Sequence, residues 1–133
     1  MFTLKKEFSI CCSHRLHNNK LSDTENRTLF GKCNNLPNHG HNYRIILMLE
    51  SKELNEKTGM IMNFYDIKAL FNHMIDNIYD HKCLNECPEF EGVIPTAENM
   101  CKVFYDTLKP VMPALKYVEI YETEGASAGY YGS

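Results

Sequence analysis

The sequence predicts an α+β fold: an antiparallel four-stranded sheet with two helices on one face. Three observations predict it. Two stretches near the N-terminus, 2–13 and 39–50, alternate apolar and polar residues with the period of a half-buried strand. The stretch 66–79 repeats apolar residues with the period of a helix. Strands and helices are also grouped along the chain rather than strictly interleaved, which is the order of an α+β fold and not of a parallel α/β one. At 133 residues the chain has the length of one domain, 1–133, with a small core and much surface.

In the first strand Phe2, Leu4, Phe8, Ile10 and Cys12 share one parity, and Thr3, Lys5, Glu7 and Ser9 the other. His14 continues the apolar parity, so it emerges on the inward side at the strand's end. Taken alone it reads as a core histidine satisfied by one hydrogen bond. A polar loop follows. Ser22-Asp-Thr-Glu25 then has the form of a capping box, opening a short helix that Gly31 closes. From His39 the alternation returns: His39, His41, Tyr43, Ile45, Leu47 and Leu49 lie on one face. Ser51 to Gly59 reads as a hairpin connection and Met60–Phe64 as the return strand.

The helix over 66–79 carries Ile67, Leu70, Phe71, Met74, Ile75 and Ile78 as one apolar stripe, with Asp66 as its N-cap. Asp80-His81-Lys82 follows its end. A loop with Pro88, Gly92 and Pro95 leads to a second helix, capped by Thr96 and ended by Pro110, with Met100, Val103, Phe104 and Leu108 on one face. Tyr117–Glu124 is the last main strand, and 126–131 adds a short one. Glu122 shares the parity of Val118 and Ile120, and an inward carboxylate is costly unless something pairs with it.

The totals exclude several classes. Net charge is −3, and no basic block marks a nucleic-acid partner. No apolar run reaches the roughly 18–20 residues of a membrane span. The first eight residues carry charge where a signal peptide has its apolar centre, so the chain reads as cytoplasmic and its six cysteines as reduced thiols. Cys83 and Cys87 have no second pair at zinc-finger spacing, and Cys101 falls on a helix face as a small core residue.

If the first two strands are antiparallel, His14 lies beside His39 and His41. Three neutral imidazoles with an open fourth position describe a catalytic zinc site. Cys33, close to them in sequence, is either a fourth ligand in a closed structural site or a base, its thiol pKa lowered by a neighbouring histidine or cation. Asp80 and His81 suit the tuning of such a base, since aspartate orients imidazole and imidazole relays a proton.

Ser13-His14-Arg15-Leu16, Leu29-Phe-Gly-Lys-Cys-Asn-Asn35, His39-Gly-His-Asn-Tyr43, Thr58-Gly-Met-Ile-Met-Asn63, Asp80-His81-Lys82, Thr96-Ala-Glu-Asn99 and Tyr121-Glu-Thr123 together resemble the 6-pyruvoyltetrahydropterin synthase family. The resemblance runs in register from about Phe8 to Tyr131. It implies the tunnelling fold, in which sheets of several subunits close a β-barrel with helices outside. It also implies a homohexamer of two trimers with active sites at subunit interfaces, and 7,8-dihydroneopterin triphosphate as substrate. By matching position, His14, His39 and His41 would hold Zn2+, Cys33 would be the base, Asp80 and His81 its relay, and Glu122 the anchor of the pterin ring. Thr96 and Glu98 would line the pterin pocket, and Ala97 stands where a second threonine is common. The resemblance includes two chemistries. The 6-pyruvoyl enzymes eliminate triphosphate. The 6-carboxytetrahydropterin synthases of queuosine biosynthesis also release acetaldehyde. Five residues between Cys33 and His39 resemble the first group, while Pro95-Thr-Ala-Glu-Asn99 resembles the second. The spacing favours the 6-pyruvoyl reaction, with the 6-carboxy reaction as the alternative and a structural zinc module as the remote one. Arg15, Arg27, Lys32 and Lys82 are the cations available by charge for the triphosphate.

Overall fold

The two alternating stretches form one long hairpin. β1 (Phe2–His14) and β2 (His39–Ser51) pair antiparallel along their whole length, from Phe2 opposite Ser51 to His14 opposite His39. This computed structural model describes all 133 residues. β2 pairs with β3 (Leu115–Thr123), and β3 with β4 (Ala126–Tyr130), giving an antiparallel sheet in the order β1-β2-β3-β4. Between β1 and β2 lies α1 (Asp23–Phe30), with the predicted capping box present at Ser22 and Glu25. Its buried Asn26 ties the preceding loop down. The side chain accepts from the Asn18 backbone at 2.7 Å and donates to the Asn18 and Ser22 carbonyls at 3.0 Å each. A buried amide is tolerated because its polar atoms are satisfied.

The expected return strand at Met60–Phe64 does not form. Gly59, with φ at +69°, turns the chain, and Asn63 caps a helix instead, its side-chain oxygen accepting from the Tyr65 N–H at 2.8 Å. A short apolar run cannot by itself distinguish a strand from the approach to a helix. Here Asn63 decides, because its side chain closes the first turn. The sheet's third and fourth strands both come from the C-terminal hairpin. The N-cap is therefore Asn63 and not Asp66, which sits in the first turn where the helix dipole favours an acid.

The helix runs as α2 (Phe64–Phe71), a π turn (Asn72–Asp76) and α3 (Asn77–Tyr79). Its fully buried residues are Ile67, Phe71, Ile75 and Tyr79, a spacing of four rather than the 3.6-residue period. The wide turn inserts one extra residue and re-phases the helix. Tyr79 is thereby turned inward, and Ile78, predicted on the apolar stripe, is left 40% exposed. The second long helix, α4 (Ala97–Leu108), is capped by Thr96, which accepts from the Asn99 N–H at 3.2 Å. It buries Met100, Cys101, Phe104, Tyr105 and Leu108.

Both helical segments cover the same sheet face, as expected for a sheet with one apolar side. The core joins Ile10 and Cys12 of β1, Tyr43, Ile45, Leu47 and Leu49 of β2 and Leu115, Val118 and Ile120 of β3 to these helix residues. Phe8 stacks on Phe71 at 3.9 Å between ring centres. All six cysteines are free. No helix is long and apolar enough to cross a membrane.

The helix phase is testable by mutation. Ile75→Ala is expected to destabilise the protein by about 2–5 kcal/mol, the usual cost of a core cavity. Ile78→Ala is expected to change stability by less than about 1 kcal/mol. Urea unfolding measures both, and equal losses would contradict the re-phased helix.

Candidate metal centre and catalytic pocket

The β1–β2 register places His14 directly across from His39, and Cys12 across from His41. Residues two apart on a strand share a face, so all three imidazoles converge at the inward end of the hairpin. The Nε2 atoms of His14 and His39 are 3.1 Å apart, and the ring centre of His41 lies 5.3 Å from that of His14. β3 carries Glu122 on the parity of Ile120, one residue past its last pairing with β2, and its Oε1 reaches within 3.2 Å of His41 Nε2. The ligating atoms of His14, His39, His41 and Glu122 all lie within 4.8 Å of one another.

The hydrogen bonds fix how these rings are presented. His14 is fully buried, and its Nδ1 is 2.7 Å from the carbonyl of Pro95. A carbonyl only accepts, so Nδ1 carries the proton and Nε2 offers its lone pair to the cluster. The Tyr43 hydroxyl sits 3.3 Å from this ring. His41 Nε2 is buried without any hydrogen-bond partner, for Glu122 is near but misaligned. Burial pushes the pKa values of His14 and His41 below the ordinary histidine value. The Pro95 carbonyl and Glu122 oppose this at His14, as Glu122 does at His41, without reversing it. Both rings are therefore neutral near pH 7, the form that binds metal. An orphaned buried nitrogen, a lone pair aimed by the Pro95 carbonyl behind the ring and a nearby carboxylate make a donor set that fits a divalent metal ion.

Cys33 sits on the 3-10 turn Gly31–Asn34, half-buried, its carbonyl accepting from the Leu16 N–H at 2.9 Å. With Lys32 it lines a pocket of about 480 Å³ that His39, His41 and Glu122 also line. It is not among the clustered donors, whose fourth member is Glu122.

Residues 3–133 match the sequence model of one family, described as PTPS: 6-pyruvoyl tetrahydropterin synthase. The chain belongs to the 6-pyruvoyl tetrahydropterin synthase family. It is 39% identical over 132 residues to the 6-pyruvoyl tetrahydrobiopterin synthase of Homo sapiens, covering 97% of this chain and 90% of that protein. It is 37% identical over 134 residues to the enzyme of the same name from Dictyostelium discoideum, covering 99% and 96%. The structure of Caenorhabditis elegans 6-pyruvoyl tetrahydropterin synthase superposes with a TM-score of 0.93 at 35% identity, covering 99% of this chain and 96% of that one.

Asp80, His81, Thr96 and Glu98, also predicted as site residues, lie away from the Cys33 pocket of their own chain. Asp80 and His81 stand on the outer edge of β1. Asp80 Oδ1 accepts from the Cys11 N–H at 2.8 Å and Oδ2 from His81 Nδ1 at 2.8 Å. His81 has a left-handed backbone, φ +61°, and a side chain 79% exposed. The pair is thus formed, but neither residue lines the pocket of the thiol in the same chain. Thr96 is committed to capping α4, and Glu98 is exposed in that helix's first turn. Glu122, expected at the pterin ring, reaches the histidines. Two contributors escaped the sequence reading as site residues. Tyr43 shared the histidines' parity and was detectable on that ground. The Pro95 carbonyl has no side-chain signal at all.

The bond from the Cys11 N–H, with lesser help from His81, holds the Asp80 carboxyl below the usual carboxylate range. A depressed folded pKa stabilises above the unfolded value, about 3.9, and that stabilisation is lost as pH falls through the folded one. Asp80→Asn is therefore expected to cost about 1–2 kcal/mol at pH 7. The gap from the parent should narrow as pH drops below about 4, read by denaturant unfolding across pH.

Proposed function

We propose that this chain, as a single pterin synthase domain, is a zinc-dependent 6-pyruvoyltetrahydropterin synthase. It would convert 7,8-dihydroneopterin triphosphate to 6-pyruvoyltetrahydropterin and triphosphate, as a carbon–oxygen lyase of tetrahydrobiopterin-type biosynthesis. The observation that carries this is the three-histidine cluster with its orphaned His41 Nε2, opening on a pocket that Cys33 lines without joining the donors. The names of the relatives support it, since the matches at 37–39% identity described above are called 6-pyruvoyl tetrahydrobiopterin synthases.

His14, His39 and His41 would hold the metal, and three nitrogens with an open or carboxylate position suit zinc. Zinc there would polarise the side-chain hydroxyls of the substrate and acidify the adjacent C–H bonds. The chain's own residues do the rest. Cys33 takes a proton from a side-chain carbon and returns it elsewhere on the substrate. Removing the proton next to the phosphate-bearing carbon expels triphosphate with the electron pair of its C–O bond, and the resulting enol becomes a ketone. The other hydroxyl carbon is oxidised to a carbonyl while the ring C=N bond takes up its hydrogens. The atoms balance without an external oxidant, reductant or water. Glu122, the carboxylate inside the pocket, accepts hydrogen bonds from the pterin ring's N–H groups, and Thr96 and Glu98 complete the ring's surroundings.

Asp80 and His81 form a ready relay that faces solvent, and Glu98 is likewise exposed. Both facts support an assembly in which a neighbouring copy brings these residues to Cys33. We take that assembly to be a cytoplasmic homohexamer, two stacked trimers whose sheets close a barrel, without membrane or nucleic-acid partners. The 6-carboxytetrahydropterin synthase reaction of queuosine biosynthesis remains the second reading, on the strength of Pro95-Thr-Ala-Glu-Asn99.

Incubation with zinc and 7,8-dihydroneopterin triphosphate is expected to yield 6-pyruvoyltetrahydropterin and triphosphate. Release of acetaldehyde would replace this reading with the 6-carboxy one. Cys33→Ala is expected to keep its zinc and lose turnover by about 100-fold or more, as for removal of a general base. Loss of zinc from that variant would show a structural site instead. Glu122→Gln should keep zinc and bind the pterin weakly, and unchanged binding would remove the anchoring role.

A further inference from the structure

A second cavity, about 550 Å³ in volume, lies beside the metal pocket, and Asn38 lines both. Its size is within the range of small-molecule sites, about 300–1,000 Å³. Arg15, His17 and Lys20 line it, on the segment that leaves β1 directly after the metal-cluster residue His14. These side chains are held ready for an anion. Arg15 is clamped by Asn85, whose side chain accepts from the Arg15 N–H and donates to its carbonyl, both at 2.8 Å. The Arg15 Nε donates to the Asn34 carbonyl at 2.8 Å, which leaves both terminal amino groups without a partner. Asn34, 4% exposed, donates from one Nδ2 to the Leu16 carbonyl and to His17 Nδ1, each at 2.8 Å. Since Nδ1 accepts, the proton of neutral His17 lies on Nε2, a further free donor. Lys20 makes no side-chain bond and no ion pair. Glu86 and Glu91 line the same cavity, yet neither pairs with Arg15 or Lys20.

A fixed guanidinium with free forked donors, an imidazole N–H and a lysine suit an anion with many oxygens. We infer that this cavity binds the triphosphate tail of the substrate, while the pterin and its hydroxyls occupy the metal pocket across Asn38. The inference rests on the synthase reading for its ligand. It selects Arg15 from the four cations available by charge and adds Lys20 and His17. Lys32 lines the metal pocket, and Arg27 and Lys82 line neither cavity.

The test is calorimetric titration of the zinc-loaded protein with inorganic tripolyphosphate. The wild type is expected to bind it, Arg15→Gln at least 10-fold more weakly, Lys20→Gln several-fold more weakly, and the exposed Lys116→Gln unchanged. Zinc content should stay constant in all of them. The KM for dihydroneopterin triphosphate should rise in the same order. If Arg15→Gln misfolds or loses zinc, Lys20→Gln carries the test, because its side chain supports no contact. A wild type that does not bind tripolyphosphate, or a folded Arg15→Gln that binds it like wild type, overturns the assignment. Binding requires no turnover, so a protein that binds tripolyphosphate through Arg15 but leaves the pterin untouched would refute the synthase reading and keep the anion site.

Discussion

Everything in this molecule depends on the register between β1 and β2. Thirteen residues on each strand pair from Phe2–Ser51 to His14–His39. The parity that turns Ile10, Tyr43, Ile45, Leu47 and Leu49 into the core also turns His14, His39 and His41 together. A slip of one residue would move that whole set to the other face. Each large apolar side chain so exposed costs about 1.5–3 kcal/mol. The histidines are thus positioned by the burial of residues that have no part in the chemistry.

The helix layer then refines what the sheet places. Pro95, just before α4, fixes the proton of His14 through its carbonyl, so packing of the helix on the sheet and presentation of Nε2 to the histidine cluster are one event. Burial also sorts the thiols. Cys12 and Cys101 lie in the core, where desolvation pushes each up to about 12, and they stay protonated and inert. Cys33, in contrast, lines an open pocket.

What could be read in advance follows periodicity. The two-residue repeat of β1 and β2 is strong, and with antiparallel pairing it brings three histidines together before any coordinates exist. Glu122 was detectable as an inward carboxylate on β3, but its approach to His41 depends on where β3 stops pairing with β2. Met60–Phe64 misled because five apolar-rich residues carry too little period to separate a strand from a helix approach. The π turn left no mark in residue type, so Ile78 and Tyr79 exchange the places that a regular helix assigns them. The bond from Cys11 to Asp80 joins residues 69 apart, and no local pattern encodes it.

That extra residue in the helix has a further effect at the sheet's margin. By setting where the helix ends, it lays 80–83 along the outer edge of β1: Asp80 takes the Cys11 N–H, the His81 N–H reaches the Cys11 carbonyl, and the Ser13 N–H reaches Lys82. The last part of that edge is closed to any other strand. From alternation, Thr3, Lys5, Glu7 and Ser9 point their backbone groups the same way, with no strand of this chain paired to them on that side. The width of the π turn therefore acts as a ruler: it sets how far along β1 a strand from another molecule can be added before it meets the Asp80–His81 pair.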